Sequence, residues 1–331
     1  GCGHDANFPP VTARYFRYTF DDRTLFGGLH GWAVEIEVFN APTNQPPVAN
    51  AGADKTVECT GPEGTPVTLD GSGSSDPDND PLTYTWTGPF GTTTGVSPTV
   101  TVPYGTSTIT LVVNDGKVDS DPDTVDIAVQ DTTPPTLTLS NNSVTVVLPT
   151  ASAPGAPVNA LTASGASATD ACCESSPTLS PTGTSDYPIG TTTAQITASD
   201  CHSNTSAGQP FTVNVVYSFF GFLQPINADG TSIFRSGRTV PVKFQLRAAD
   251  GSIISNAVAT LAVAKVSNYV VGVFEEAEAS GASNLDNYFR YDPTAGQYIY
   301  NLSMVGFSSG TYVLRATLND GTTHDVYVSL R

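Results

Sequence analysis

Positive charge is what this chain has least of. Between Arg23 and Arg235 only Lys55 and Lys117 are basic, against 20 acidic residues, so that window alone carries the −18 net charge of the 331-residue chain. A surface that grips nucleic-acid phosphate or an anionic bilayer needs a basic patch, and the long middle has none. Nucleic acid is therefore excluded as a partner, and metal cations are the natural one. No run approaches the ~20 apolar residues of a membrane helix, so membrane insertion is not expected. Histidine is scarce as well: His4, His30, His202 and His324 lie in four separate segments. No nucleophile elbow, P-loop or dinucleotide fingerprint accompanies them. Cys201 and His202 are adjacent, which on a strand points their side chains apart and disfavours nucleophile activation. Trp32 and Trp86 are the only tryptophans, fewer than a sugar cleft with paired catalytic carboxylates ordinarily brings. A non-enzymatic protein is predicted.

What is present is alternation. Trp32, Val34, Ile36 and Val38 share one face of the segment 32–39, Leu82, Tyr84 and Trp86 one face of 82–87, and Val125, Ile127 and Val129 one face of 124–130. Period two with Thr, Glu, Asp or Ala between the apolar positions predicts half-buried strands. The pattern returns eight more times before Leu330. Asn114-Asp115-Gly116, Asp229-Gly230, Asp250-Gly251 and Asn319-Asp320-Gly321 supply the tight turns between them. The sole helix-like window, Phe274–Ser280, is predicted to be a loop or one short helical turn. The fold class is all-β: tandem Ig-like antiparallel β-sandwiches.

Proline pairs mark the joints. Ala41-Pro42-Thr43-Asn44-Gln45-Pro46-Pro47 and Asp131-Thr132-Thr133-Pro134-Pro135 are short extended connectors, because each Pro fixes φ and biases its predecessor away from helix. A third joint falls near Val216–Pro225, where Tyr217, Phe219, Phe220 and Phe222 cluster as core or inter-domain packing. The expected domains are 1–42, a β-hairpin segment, then 43–130, 131–217 and 218–331, three sandwiches joined into a rod. The chain opens Gly1-Cys2 with neither Met nor signal peptide, as a processed or partial chain would.

Residues 46–130 resemble a PKD-type domain: Pro46-Pro47-Val48-Ala49-Asn50-Ala51-Gly52 opens it, Leu69-Asp70-Gly71-Ser72-Gly73-Ser74-Ser75-Asp76-Pro77-Asp78-Asn79-Asp80 follows, and Tyr84-Thr85-Trp86 stands on the next strand. Residues 131–217 resemble a hyalin repeat, through Asp131-Thr132-Thr133-Pro134-Pro135, Ala168-Thr169-Asp170 and Tyr187-Pro188-Ile189-Gly190-Thr191-Thr192-Thr193. They depart from it in the vicinal pair Cys172-Cys173. Residues 218–331 resemble the PxKF domain of secreted bacterial proteins, through Pro241-Val242-Lys243-Phe244 and Gly310-Thr311-Tyr312. Residues 13–39 are similar to the last strands of a discoidin-like domain, through Ala13-Arg14-Tyr15-Phe16-Arg17 and the segment 31–39. These resemblances imply spacer and adhesive modules on a secreted, extracellular or cell-surface protein, not catalysis.

Candidate sites follow. Asp76, Asp78 and Asp80 alternate on one turn, the spacing that presents carboxylates to a hard cation, and the PKD resemblance brings Asn50 beside that turn. Ca²⁺ is the implied cofactor, the competing reading being a solvated turn whose Asp side chains cap backbone amides. Asp115, Asp119, Asp121, Asp123 and Asp126 read as a solvated sheet edge that deters aggregation. Cys2, Cys59, Cys172, Cys173 and Cys201 contain no CxxC and no Cys/His group of zinc spacing, so in a secreted chain disulfides are expected. Cys173 with Cys201 is the first choice, with Cys172 as the alternative partner, while Cys2 and Cys59 pair with each other or with an outside chain.

The N-terminal segment holds two strands with large apolar residues on both faces, including Tyr15, Phe16, Trp32, Val34, Ile36 and Val38. A two-stranded hairpin is marginal in water, so something covers it: a missing part of a larger protein, a neighbouring subunit, or the chain's own first sandwich. The functional reading is a non-catalytic structural or adhesive protein, stiffened by Ca²⁺, that self-associates head to tail into a surface filament or joins other matrix and cell-surface components. The alternative is an accessory, glycan-binding region of a larger secreted glycoside hydrolase or adhesin.

Overall fold

The computed structural model describes residues 15–21, 33–39, 43–183, 185–281 and 284–331, the first two segments by backbone alone. Contacts divide the chain into two compact units, Gly1–Asp131 and Thr132–Arg331. The division falls at the head of the second proline-rich connector.

In the first unit, β1 (Tyr15–Asp21) and β2 (Ala33–Phe39) pair antiparallel, from Tyr15 opposite Phe39 to Asp21 opposite Ala33, as a two-stranded sheet of their own. The sandwich comprises β3 (Lys55–Glu58), β4 (Thr65–Thr68), β5 (Thr83–Gly88), β6 (Gly91–Thr94), β7 (Thr99–Val102), β8 (Gly105–Asn114) and β9 (Asp123–Gln130). One sheet runs β3-β9-β8-β5-β6, and the other is β4-β7. Alternation does the sorting: on β8, Ser107, Ile109, Leu111 and Val113 are buried while Thr106 and Thr108 face water. Trp86 is fully buried at the centre, its indole N–H donating to the Gly95 carbonyl at 2.9 Å. Gly71 closes over it. A Cβ there would lie 3.0 Å from the Tyr84 ring and 3.1 Å from Trp86, which explains a glycine after Leu69-Asp70.

The second unit begins with β10 (Thr136–Thr138), β11 (Ser143–Val147), β12 (Gly155–Pro157), α1 (Ala160–Ser164), β13 (Ser167–Thr169), β14 (Thr178–Thr182), β15 (Asp186–Pro188), β16 (Gly190–Ser199) and β17 (Gln209–Val216). Its main sheet runs β11-β17-β16-β14. The α1 turn was not foreseen, being too short for periodicity to register. The Asn159 side chain caps it by accepting from the Thr162 N–H, and Gly165 ends it in the left-handed region at φ 59°. There follow β18 (Ser218–Leu223), β19 (Ser232–Phe234), β20 (Thr239–Arg247), β21 (Ala259–Ser267), β22 (Val270–Val271), β23 (Glu275–Glu276), β24 (Arg290–Asp292), β25 (Gln297–Ser303), β26 (Gly310–Leu318) and β27 (Thr323–Leu330). They form sheets β18-β20-β25-β24 and β19-β27-β26-β21-β22, with β23 also on β21. Glu275 and Glu276 thus stand opposite Val263 and Ala262. The window predicted to be a loop or helical turn contains strand, because pairing outweighs the helix preference of Glu and Ala.

The architecture is all-β, as tandem Ig-like sandwiches, with one amendment to the antiparallel expectation. In each sandwich an early strand lies parallel to the last: β3 to β9, β11 to β17, and β19 to β27. Chain reversal at hairpins cannot produce such pairs, which only close once the rest of the sheet exists.

One continuous core runs through the second unit, from Leu137 to Leu330. Backbone bonds reinforce it. Ala249 N–H donates to the Leu148 carbonyl at 2.8 Å, and Tyr217 N–H donates to Asp320 Oδ2 at 2.7 Å. Phe244 of the Pro241-Val242-Lys243-Phe244 run is fully buried, stacked on Tyr298 at 5.1 Å and edge-on to Phe289 at 4.8 Å. Burying such a ring contributes roughly 2–3 kcal/mol. Of the cluster 217–222, Tyr217 and Phe222 are core and Phe219 stacks on His324 at 3.8 Å, while Phe220 is 62% exposed under Arg247.

Candidate functional site

The acidic turn of the first sandwich is built by its opening segment. Val48 and Ser75 exchange both backbone bonds, at 2.8 and 3.0 Å, which lays residues 48–50 against the loop that leads into Asp76. Asp76 Oδ1 accepts the N–H groups of Asp78 and Asp80, each at 2.9 Å, winding the turn around one carboxylate. Asn79 takes φ 61°, a left-handed position that Asn tolerates better than other residues bearing a side chain. Asp76 Oδ2 is buried and has no hydrogen-bond partner.

The other two carboxylates are drawn elsewhere. Asp78 Oδ2 accepts the Gln45 N–H at 2.7 Å, and Asp80 Oδ2 takes the ammonium of Lys117. That ammonium also donates to Asn44 Oδ1 at 2.9 Å, and Asn44 Nδ2 donates to Asp115 Oδ2 at 2.7 Å. Asp115 Oδ1 closes the adjacent turn by accepting the N–H groups of Lys117 and Val118. The connector residues Asn44 and Gln45 are thereby stitched to both acidic loops. Hydrogen bonding to Asp80, with the charges of Asp80, Asp115 and Asp78, raises the Lys117 pKa. The amide of Asn44 and the Val118 N–H hold Asp115 below the usual carboxylate range against its burial. One of two basic residues in the acid-rich window therefore sits inside the acid cluster. Its scarcity was the available signal, and the sequence reading did not use it.

Asn50 lies at the start of this loop. Its N–H donates to Ser74 Oγ and its Oδ1 accepts the Gly52 N–H, each at 2.9 Å, and a Cβ on Gly73 would come within 2.8 Å of its amide nitrogen. Among the described residues, Asp76, Asp78 and Asp80 do not bring three ligand oxygens within 4.8 Å of one another. The turn does offer hard-oxygen chemistry: one orphaned carboxylate oxygen, two further carboxylates, and an exposed ammonium that a divalent ion could displace. The acids of the neighbouring run act singly. Asp119 Oδ1 accepts from Asn114 Nδ2, Asp123 Oδ2 from the Ala51 N–H, and Asp126 Oδ1 from Thr108 Oγ1.

In the second unit Cys173 and Cys201 form a disulfide with Cα atoms 5.9 Å apart, and Cys172 is also disulfide-bonded, as is Cys59 of the first unit. The bridge joins two Asx turns, in which Asp170 accepts from the Cys172 N–H and Asp200 from the His202 and Asn204 N–H groups. Burial pushes the Asp200 pKa up, but the Asn204 side chain and these backbone donors outweigh it and leave it lowered. His202 Nδ1 lies 3.3 Å from Cys201 Sγ, so Cys173, Cys201 and His202 converge although their spacing gave no zinc pattern. With both sulfurs spent in the bridge, the three are not a zinc site.

Of the hairpin residues, Tyr15 and Phe16 lie in β1 and Val34, Ile36 and Val38 in β2, with Phe16 opposite Val38 and Tyr18 opposite Ile36. Trp32 lies outside the described residues.

The PKD domain family matches residues 44–129. No curated protein matches the chain. Among solved structures, a nucleoside hydrolase-related hypothetical protein from Saccharophagus degradans associated with carbohydrate metabolism is 28% identical over 27% of this chain and 26% of its own, with a TM-score of 0.22. This chain thus spans about a quarter of that protein's length. Mouse cadherin-23 EC22–24 is 15% identical over 87% of this chain and 99% of its own, and the Sidekick-1 immunoglobulin domains 1–5 are 12% identical over 97% and 67%, both with TM-scores of 0.29. Likenesses this low carry no functional argument. The PKD match, the sandwiches and the disulfides fit a structural or adhesive protein of the extracellular space. Among the described residues no helix is long and apolar enough to cross a membrane.

Proposed function

We propose that this chain is a non-catalytic, extracellular structural or adhesive protein: an array of PKD-, hyalin- and PxKF-like sandwiches, stiffened by Ca²⁺, that assembles head to tail through its N-terminal strands. The observation that carries the reading is the stitched acidic turn, where Asn44 and Gln45 of the connector bond to Asp115, Lys117 and Asp78. A joint held by carboxylates transmits load, and its stiffness responds to cations. Asp76, Asp78 and Asp80 would hold Ca²⁺ at this turn, with Lys117 as the resident cation it displaces. When bound, Ca²⁺ supplies a divalent cross-link where a single ammonium now stands.

The charge distribution supports assembly by the ends. The −18 middle repels lateral neighbours, while the flanking segments are balanced and free to associate. Sedimentation velocity and calorimetry of the whole protein, with Ca²⁺ and with chelator, test the reading. Ca²⁺ is expected to raise the melting temperature of the first unit and to promote larger species. A protein monomeric and thermally unchanged in both conditions refutes it.

A further inference from the structure

The C-terminal sandwich carries a surface that the fold itself does not use. Residues 270–276 run along β21 as a strap that ends the six-stranded sheet. It is firmly held: Gly272 N–H donates to the Lys265 carbonyl at 2.9 Å, and Phe274 lies under the Arg315 guanidinium at 3.9 Å. Beside it opens a groove of about 520 Å³. Val273 and Val305, 86% and 70% exposed, give it apolar walls, and Glu275, Glu276 and Glu278 give it an acidic rim. Among the described residues none of these three carboxylates has an ion-pair partner. Lys265 also lines the groove, its ammonium bonded to Ser308 Oγ at 2.6 Å, so the groove's own charge is net negative.

A second observation marks the same edge. At the hairpin tip between β21 and β22, Asn268 and Tyr269 take φ 52° and 64°. Asn suits that turn, whereas an aromatic residue there is strained. Tyr269 recovers nothing from packing, being fully exposed beside the exposed Val270. Tyr269 thus stands as a strained, solvent-facing aromatic at the tip of the hairpin whose following residues, from Gly272 on, line the groove.

We infer that this strap and groove receive β1 of a second copy of the chain, a proposal that rests on the head-to-tail reading and names its acceptor. The complementarity is in the sequence of the occupant. Arg14-Tyr15-Phe16-Arg17-Tyr18-Thr19-Phe20 combines two arginines and four aromatics, and the acids Asp21 and Asp22 follow only at the far end of β1. Among the described residues β1 pairs only with β2, and the strap ends its own sheet. Two such edges join by strand addition, with aromatic side chains supplying the buried area and Arg14 and Arg17 answering the glutamates. The occupant is a strand whose leading half carries both arginines, a charge pattern that a neutral glycan lacks.

The test is charge reversal in the full-length protein, read by sedimentation velocity and electron microscopy. Glu275→Arg with Glu276→Arg, and separately Arg14→Glu with Arg17→Glu, are each expected to weaken assembly at least about tenfold, and the fourfold variant to regain it. Glu275 and Glu276 are exposed, which makes their reversal compatible with folding, and circular dichroism checks every variant. Single reversals that assemble like the native protein, or a fourfold variant that stays dispersed, overturn the assignment. Phe16→Asp separates it from the parent reading. If that change disperses the protein while groove reversals do not, the strands assemble elsewhere and only this acceptor is wrong. If the native protein never assembles, both fall.

Discussion

Replacing Asp320 by alanine should loosen the second unit and leave the first untouched. The carboxylate is 2% exposed and sits in the β26–β27 turn. Its Oδ2 accepts the Tyr217 N–H at 2.7 Å, and its Oδ1 accepts the Thr322 N–H at 2.9 Å and hydroxyl at 2.7 Å. Bonds to a charged acceptor are worth ~1.5–3 kcal/mol each, but the Thr322 groups lie in a turn and regain water after truncation. The Tyr217 N–H is buried and stays unpaired, at a cost of ~1–3 kcal/mol. Relief of the buried charge offsets part of this, leaving a loss of about 2 kcal/mol. For a unit of about 200 residues that lowers the melting temperature by roughly 4–8 °C. Both tryptophans, Trp32 and Trp86, belong to the first unit, so their fluorescence follows that unit alone while calorimetry follows both. The expected result is a calorimetric transition displaced by the calculated amount beneath an unmoved tryptophan transition. A displacement under about 2 °C, or equal movement of both signals, refutes the assignment of Asp320 as the clamp on Tyr217.

Burial against Phe219 depresses the His324 pKa, outweighing the opposite pull of Asp320 and Asp325. The unfolded chain then binds the proton more readily, so stability of the second unit is constant above about pH 6.5 and falls as pH drops from there toward the depressed value. His324→Phe should flatten that slope in denaturant melts between neutral and mildly acidic pH; an unchanged slope would assign the effect to other groups. Lys117→Gln removes the resident ammonium from Asp80 and should tighten Ca²⁺ binding by the first unit in isothermal titration, whereas equal or weaker binding argues that the turn takes no cation. Cys201→Ser opens a loop of 28 residues and should cost the second unit ~3–4 kcal/mol by chain entropy, seen as a lower denaturation midpoint with unaltered tryptophan emission; an unshifted midpoint contradicts it.

Strand content was legible because period two is a local property: Thr106 through Val113 alternate in sequence and alternate in burial. The aromatic cluster at 217–222 was legible only as a cluster. Which rings turn inward depends on the irregular register between β18 and β20, which buries Phe222 against Phe244 and releases Phe220 to solvent. At the acidic turn the spacing of Asp76, Asp78 and Asp80 said that carboxylates would crowd one loop. It could not say that Lys117, 37 residues further on, would reach Asp80, or that Asn50 would spend its amide on Gly52.

By itself the sequence determined what is set by neighbours along the chain: all-β composition, turn positions, the proline joints, the charge of the middle, and a PKD-like module. Tertiary structure alone decided the parallel closure of an early strand on the last strand in each sandwich, the shared core of residues 132–331, and the strap that leaves Tyr269 and the glutamates facing water. The reason is physical. Alternation and turn propensity act over a few residues, whereas these features join segments tens of residues apart, and nothing in their spacing reports the meeting until the sheets between them have formed.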